Sequence, residues 1–337
     1  MYVDKGLTGR IIKQGQENKN MKIAMLGSGA AGSCFASYLR KGGADDIVLV
    51  DLYKAHMDKV AADGMEFTDP TGTYHLDGFK TAYTADDIGI VDIAIIMVKA
   101  TQTEGLLEKS KACIGPETVV VTLQNGLGND EHVKKFVPAD RILFGCGNMG
   151  TELAGPGKCV AKPLGGENMY FGAAEKSELT TKAGNYLKEC FDKGGLGAHF
   201  YDDVRPAVWK KATSNAGFNT VCAVLRMKVG EVAADPNGSA LVWQIWKEAA
   251  AVSEALGVEG VWEFTVNNYD NLLKAISDYY PSMAQDMLFN DRQTEVTALT
   301  GAISDYGKKA GVPTPTCDTL TQVVKAIEAN YDKQYFK

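Results

Sequence analysis

Residues 21–43 read "MKIAMLGSGAAGSCFASYLRKGG": a short apolar run, a glycine cluster, then small and apolar residues in helical rhythm. The pattern predicts a buried strand, a tight turn and a helix, with Gly27, Gly29 and Gly32 at the strand-to-helix junction. Glycines there permit the turn, let the backbone approach a pyrophosphate and let the helix pack closely on the strand. The helix N-terminus offers its positive end to the phosphates. The hexapeptide Gly27, Ser28, Gly29, Ala30, Ala31 and Gly32 is therefore a candidate phosphate cradle. Alone it is weak, because small residues also serve ordinary turns. The context strengthens it: the next apolar run, residues 47–50, closes on Asp51, nineteen positions beyond Gly32. A carboxylate at the end of a second strand accepts hydrogen bonds from both adenosine ribose hydroxyls and repels a 2'-phosphate. The expected cofactor is NAD(H), with NADP(H) as the alternative. The competing reading is that Asp51 only caps a loop.

Two further apolar runs, residues 91–98 and 118–123, read as buried parallel strands. Lys99 follows the first and Asn125, in "QNGLG", follows the second. Ligands of a doubly wound sheet lie beyond the carboxyl ends of its strands, so both residues fall where nicotinamide ribose and substrate belong. "FTDPTGTYHL" and the glycine-rich segment from Gly155 read as hairpins appended to that sheet. After a helical stretch at 179–193 and a short strand at 198–201, nearly everything has helical period, broken at 235–238, 257–260, Pro281 and "GVPTPT". The expected fold is α/β: a Rossmann-type doubly wound sheet over 21–202, then an all-helical domain over 203–337. Residues 1–20 read as an extension of no assigned function, without the apolar core or cleavage site of a secretory signal.

Composition narrows the function classes. A formal net charge of -7 with no basic block argues against nucleic acid as the main partner. No apolar run is long enough to span a bilayer. Seven scattered cysteines without a CxxC suggest reduced thiols in a cytoplasm and no structural zinc. None of the four histidines stands beside a carboxylate in a convincing dyad. Large apolar residues in the trailing helices, including Trp243, Trp246, Trp262, Phe264 and Leu273, mean core packing by default, and are compatible with a homodimer face.

Within "WKKATSNAGFN", residues 209–219, Lys211, Asn215 and Asn219 recur every four positions and form one stripe on a helix. Such a stripe is usually a wet face. Here its neighbours are small and apolar, so the stripe is expected to be buried, and a buried lysine needs a partner. Ser282 and Glu295 stand out in the later segment "SMAQDMLFNDRQTE", and a carboxylate such as Glu295 is the natural counter-ion for Lys211.

Taken in order, "GSGAAG", "VKA", "QNGLG", "WKKATSNAGFN" and "SMAQDMLFNDRQTE" resemble the ketopantoate reductase family, from Met21 to about Asn330. The resemblance implies reduction of a 2-oxo acid by NAD(P)H. By position it makes Lys211 the general acid and Asn215 and Asn219 the amides that hold substrate. Ser282 becomes a contact to the substrate carboxylate, and Glu295 a carboxylate at cofactor and lysine. Lys99 and Asn125 are cofactor and interdomain contacts, and Thr151 falls near a further cofactor position. The chain also departs from the family. Val229 and Tyr279 replace asparagines, Pro281 replaces a serine, and the segment from Ser282 to Glu295 is one residue longer. Losing partners for a substrate hydroxyl points to a less polar pocket. The expected substrate is therefore a branched or aromatic 2-oxo acid, with 2-dehydropantoate as the alternative and a non-catalytic NADH-binding module below both. Metal is not expected.

Overall fold

The computed structural model describes residues 20–164, 167–289 and 291–334. The extension expected over residues 1–20 thus lies, apart from Asn20, outside the described residues. The strands are β1 (Ile23–Leu26), β2 (Ile47–Val50), β3 (Met65–Asp69), β4 (Gly72–Leu76), β5 (Lys80–Ala82), β6 (Ile93–Ile96), β7 (Val119–Thr122), β8 (Ile142–Gly147), β9 (Met149–Gly155), β10 (Lys158–Pro163), β11 (Met169–Ala173) and β12 (Ala198–Tyr201). Among them run helices α1 (Ala30–Lys41), α2 (Lys54–Asp63), α3 (Thr103–Lys109), α4 (Asn129–Val133) and α5 (Glu178–Gly194). The helical part follows: α6 (Arg205–Leu225), α7 (Val229–Ala234), α8 (Pro236–Ala255), α9 (Val261–Ile276), α10 (Ser282–Phe289), α11 (Thr300–Ala310) and α12 (Pro315–Glu328).

The main sheet has eight strands in the order β12-β11-β8-β7-β6-β1-β2-β5. All neighbours run parallel except β8 and β11. β1, β2, β6 and β7 are buried at every position, as expected for parallel strands covered on both faces. Ile23 and Met25 join the core under α1 and α5, whereas Ala24 and Leu26 join the one beneath α3 and α4. The order reverses between β1 and β6, which opens a crevice at their carboxyl ends.

The two hairpins do not extend this sheet. β3–β4 and β9–β10 combine into a separate four-stranded sheet, β4-β3-β10-β9, through a parallel contact of β10 with β3. The physical reason lies in α1, which is buried continuously from Gly32 to Leu39 and so needs cover on the side away from the main sheet. The small sheet supplies it, with Phe67 meeting Tyr38 edge-on at a ring-centroid distance of 4.8 Å.

His56 ties these parts to the glycine turn. Its Nδ1 accepts the Gly157 N–H at 2.9 Å, so the proton resides on Nε2, which donates to Ser33 Oγ at 3.0 Å. Ser33 in turn donates to the Ser28 carbonyl at 2.8 Å. Burial holds the imidazole below the ordinary histidine value of 6.5, against the pull of Asp51. Below 6.5 the unfolded chain takes up a proton that the folded one resists, so stability should fall as pH drops through that window. Thermal melts from about pH 7 to about pH 5 should show this loss in the wild type and a flatter profile in His56→Gln. Equal slopes would remove His56 from the account.

Candidate active site

Gly27 adopts φ +94°, and a Cβ on Gly32 would lie 2.0 Å from the Gly27 carbonyl oxygen, so neither position tolerates a side chain. Gly29 differs: a Cβ there would meet no atom within 4 Å, although it precedes α1 directly and no side chain caps that helix. The first-turn N–H groups of α1 therefore face an uncrowded cradle, which fits a diphosphate. Asp51 does cap loops, accepting Ser28 N–H at 2.8 Å and Tyr53 N–H at 2.9 Å, one on each oxygen. These bonds fix the carboxylate beside the cradle and leave lone pairs on both oxygens for a ribose.

Across the crevice, Gln124 is buried and binds the Val98 carbonyl at 2.6 Å and the Thr103 hydroxyl at 2.9 Å, joining the loops that carry Lys99 and Asn125. Asn129 holds the Asn125 carbonyl at 3.0 Å. Neither role could be assigned from the sequence, although the amide directly before Asn125 was a signal.

The helical half closes onto this loop at its backbone. Leu127 N–H donates to Ala298 O at 2.8 Å, and Gly126, at φ +95°, would place a Cβ 2.4 Å from that same oxygen. Ala298 belongs to the short turn that Glu295 opens, so the contact brings Glu295 beside Asn125. Lys99 reaches across as well, to the Asp286 carboxylate of α10 and to the Gln293 carbonyl at 3.0 Å. Burial pushes the half-buried Glu295 carboxyl up from the ordinary 4.5. Lys99 pulls it down, Asp286 pushes it up, and Asn125 and Lys211 pull it down.

The stripe on α6 is inside the protein, with Lys211 and Asn215 half-buried and Asn219 only 8 % exposed. The remaining faces of α6 pack on the apolar core of the helical half. Lys211 does not form the expected ion pair with Glu295; its Nζ donates to the Gly147 carbonyl at the end of β8. Glu295 nevertheless feels its charge. Neither the Asn215 nor the Asn219 side chain hydrogen-bonds to any described residue, which leaves both amides open to a ligand. Ser282 is exposed, four residues before Asp286 and thus on the same face of α10. Thr151 lies on β9 in the small sheet, paired with Ala161, and its side chain makes no hydrogen bond to the cleft residues. Asp286 was missed in the sequence; its spacing from Ser282 could have found it.

A cavity of about 560 Å³ lies elsewhere, lined by Gly126, Asn129, Arg205, Trp209 and Tyr306, among others. Lys99, Lys211, Asn215, Asn219 and Glu295 do not line it. Among the described residues no cluster of potential metal ligands occurs, and no helix is long and apolar enough to cross a membrane.

Gly43 and Gly126 separate conformational strain from the interface clash. Both have positive φ, but a Cβ on Gly43 would touch nothing within 4 Å. Gly43→Ala should cost about 1 kcal/mol, and Gly126→Ala roughly 1–3 kcal/mol more, because a backbone of the other half must move. Denaturant unfolding of both variants checks this, and equal losses would mean that the Gly126–Ala298 approach constrains nothing.

Comparison with known proteins agrees with this geometry. Residues 23–176 match the family described as "Ketopantoate reductase PanE/ApbA", and residues 203–328 match "Ketopantoate reductase PanE/ApbA C terminal". A 2-dehydropantoate 2-reductase of Streptococcus pyogenes serotype M18 is 32 % identical over 311 residues, covering 92 % of this chain and 98 % of that one. Among solved structures, the ternary complex of D-mandelate dehydrogenase with NADH and anilino(oxo)acetate superposes with a TM-score of 0.81 at 29 % identity, covering 93 % of this chain and all of the other. A 2-dehydropantoate 2-reductase from Geobacter metallireducens GS-15 gives a TM-score of 0.82 at 25 % identity, covering 91 % and 99 %. With both halves matched in order and their motifs gathered at one cleft, the chain belongs to the ketopantoate reductase family.

Proposed function

We propose that this family oxidoreductase is an NAD-linked 2-hydroxy acid dehydrogenase that reduces a branched or aromatic 2-oxo acid. The observation that carries the reading is the α6 stripe: an ammonium held at the cleft by one carbonyl, followed by two side-chain amides without hydrogen-bond partners among the described residues. Residues 21–202 then serve the cofactor, and residues 203–337 supply most of the substrate site. The seven buried, unbridged cysteines accord with a reducing cytoplasm.

When bound, a nicotinamide cofactor supplies the hydride; Gly27–Gly32, Asp51, Lys99 and Asn125 are the residues that would hold it. The chain's own chemistry centres on Lys211. Gly147 O engages one of the three ammonium donors, which leaves two for the substrate carbonyl oxygen. As negative charge develops on that oxygen, the ammonium stabilises it and delivers the proton, so no catalytic histidine is needed. Asn215 and Asn219 orient the oxo acid, because an amide both donates and accepts without adding charge.

Two observations favour a substrate without a hydroxyl. Val229 is fully buried, and its N–H binds the Tyr279 carbonyl at 3.2 Å, so two positions that depart from the family pattern are adjacent. The D-mandelate dehydrogenase neighbour was solved with NADH and anilino(oxo)acetate, an aromatic ligand without a hydroxyl. The names of the curated relatives favour the second reading, reduction of 2-dehydropantoate.

Lys211→Ala should lower turnover by about 10²–10⁴-fold while leaving NADH affinity within a few-fold, measured by steady-state kinetics and by quenching of protein fluorescence. Retained turnover would exclude Lys211 as the acid, and a wild type that binds NADH but reduces nothing would make the chain a binding module. For the cofactor, Asp51→Asn should weaken NADH binding about tenfold and strengthen NADPH binding. Unchanged affinities would leave Asp51 as a loop cap.

A further inference from the structure

Lys99 stands between two carboxyl groups, Asp286 on α10 and Glu295 in the segment that follows. It pairs with Asp286, and no ion pair joins it to Glu295. We infer that Asp286 is a positioning residue: it draws the Lys99 ammonium across the cleft, joins the two halves there and keeps Lys99 from pairing with Glu295.

The consequence is a division of labour between the two carboxyl groups. Asp286 holds the direct counter-ion. Glu295 is left with burial against it and only partial compensation from Lys99, Asn125 and Lys211. The groups that face Glu295 come from every surrounding element: Lys99 after β6, Asn125 after β7, Lys211 on α6 and Asp286 on α10. Glu328 of α12 approaches the neighbouring residue instead, accepting Thr294 N–H at 2.6 Å. With Lys99 engaged by Asp286 and Lys211 held only by the Gly147 carbonyl, Lys211 has no carboxylate partner among the described residues, which suits an anionic 2-oxo acid. If Lys99 turned to Glu295, the link across the cleft to α10 would be lost.

This inference rests on the proposed substrate reading only for its purpose, and the Asp286–Glu295 coupling is testable in the ligand-free protein. A carboxyl raised by folding destabilises the native state increasingly as pH rises above 4.5 towards its folded value. The Glu295→Gln variant should therefore gain Tm relative to wild type as pH rises through that window. In the Asp286→Asn background the same Glu295→Gln substitution should gain at most half as much, because Lys99 is then free to hold Glu295 ionised. In the Lys99→Met background the gain should grow, the opposite sign, which excludes a merely loosened fold.

Melts of the wild type and the five variants on the full chain across pH measure these differences. In parallel, the limb of the kcat/KM pH profile that Glu295→Gln abolishes should move to lower pH in Asp286→Asn. A Glu295→Gln gain that is the same with and without Asp286, or that shrinks in Lys99→Met, overturns the proposal. Because the melts need no substrate, a wrong substrate assignment would spoil the rate profile and leave them intact.

Discussion

The approach of the Gly126–Leu127 backbone to Ala298 is the constraint on which the site depends. A hydrogen bond of 2.8 Å joins the two halves where a single Cβ would collide with a carbonyl. That contact sets Glu295 beside Asn125 and lets Lys99 span the cleft to Asp286. The proposed catalytic region is thus a property of the interface, and neither half carries it alone. Lys211 shows the same dependence from the other side, since the carbonyl that holds it belongs to β8 of the sheet domain.

Electrostatics inside the interface follow from burial and from competition for few cations. Lys99 has two acidic neighbours and satisfies one directly. Burial, only partly offset by Lys99, raises the Glu295 carboxyl from its ordinary value, while the stripe on α6 brings a second lysine to the cleft. At the opposite edge, Asp51 and His56 fix the glycine turn through backbone groups, one on the Ser28 N–H and the other through Ser33 on the Ser28 carbonyl. The cradle is held through both backbone polar groups of one residue.

Much of this was legible in the sequence because it is local. The run from β1 through the glycines to α1, the Asp51 terminus of β2 and the four-residue spacing of Lys211, Asn215 and Asn219 each follow from periodicity and backbone chemistry. The rest was tertiary. The two hairpins joined each other because α1 needed cover on its outer face, and no pattern within either hairpin encodes that pairing. The partner of Lys211 was a backbone carbonyl, which has no residue signature, so a carboxylate was expected in its place. Asp286 did have a signal, four residues after Ser282, but Glu295 drew the attention that both acids required.

The most direct test of the central claim compares initial rates of NADH and NADPH oxidation, followed by loss of nicotinamide absorbance, with ketopantoate, 2-oxoisovalerate and benzoylformate side by side. The account predicts turnover of the two non-hydroxylated acids with NADH in preference to ketopantoate. Fastest turnover of ketopantoate with NADPH would contradict both the reading of Asp51 and the reading of the Val229–Tyr279 side of the helical half.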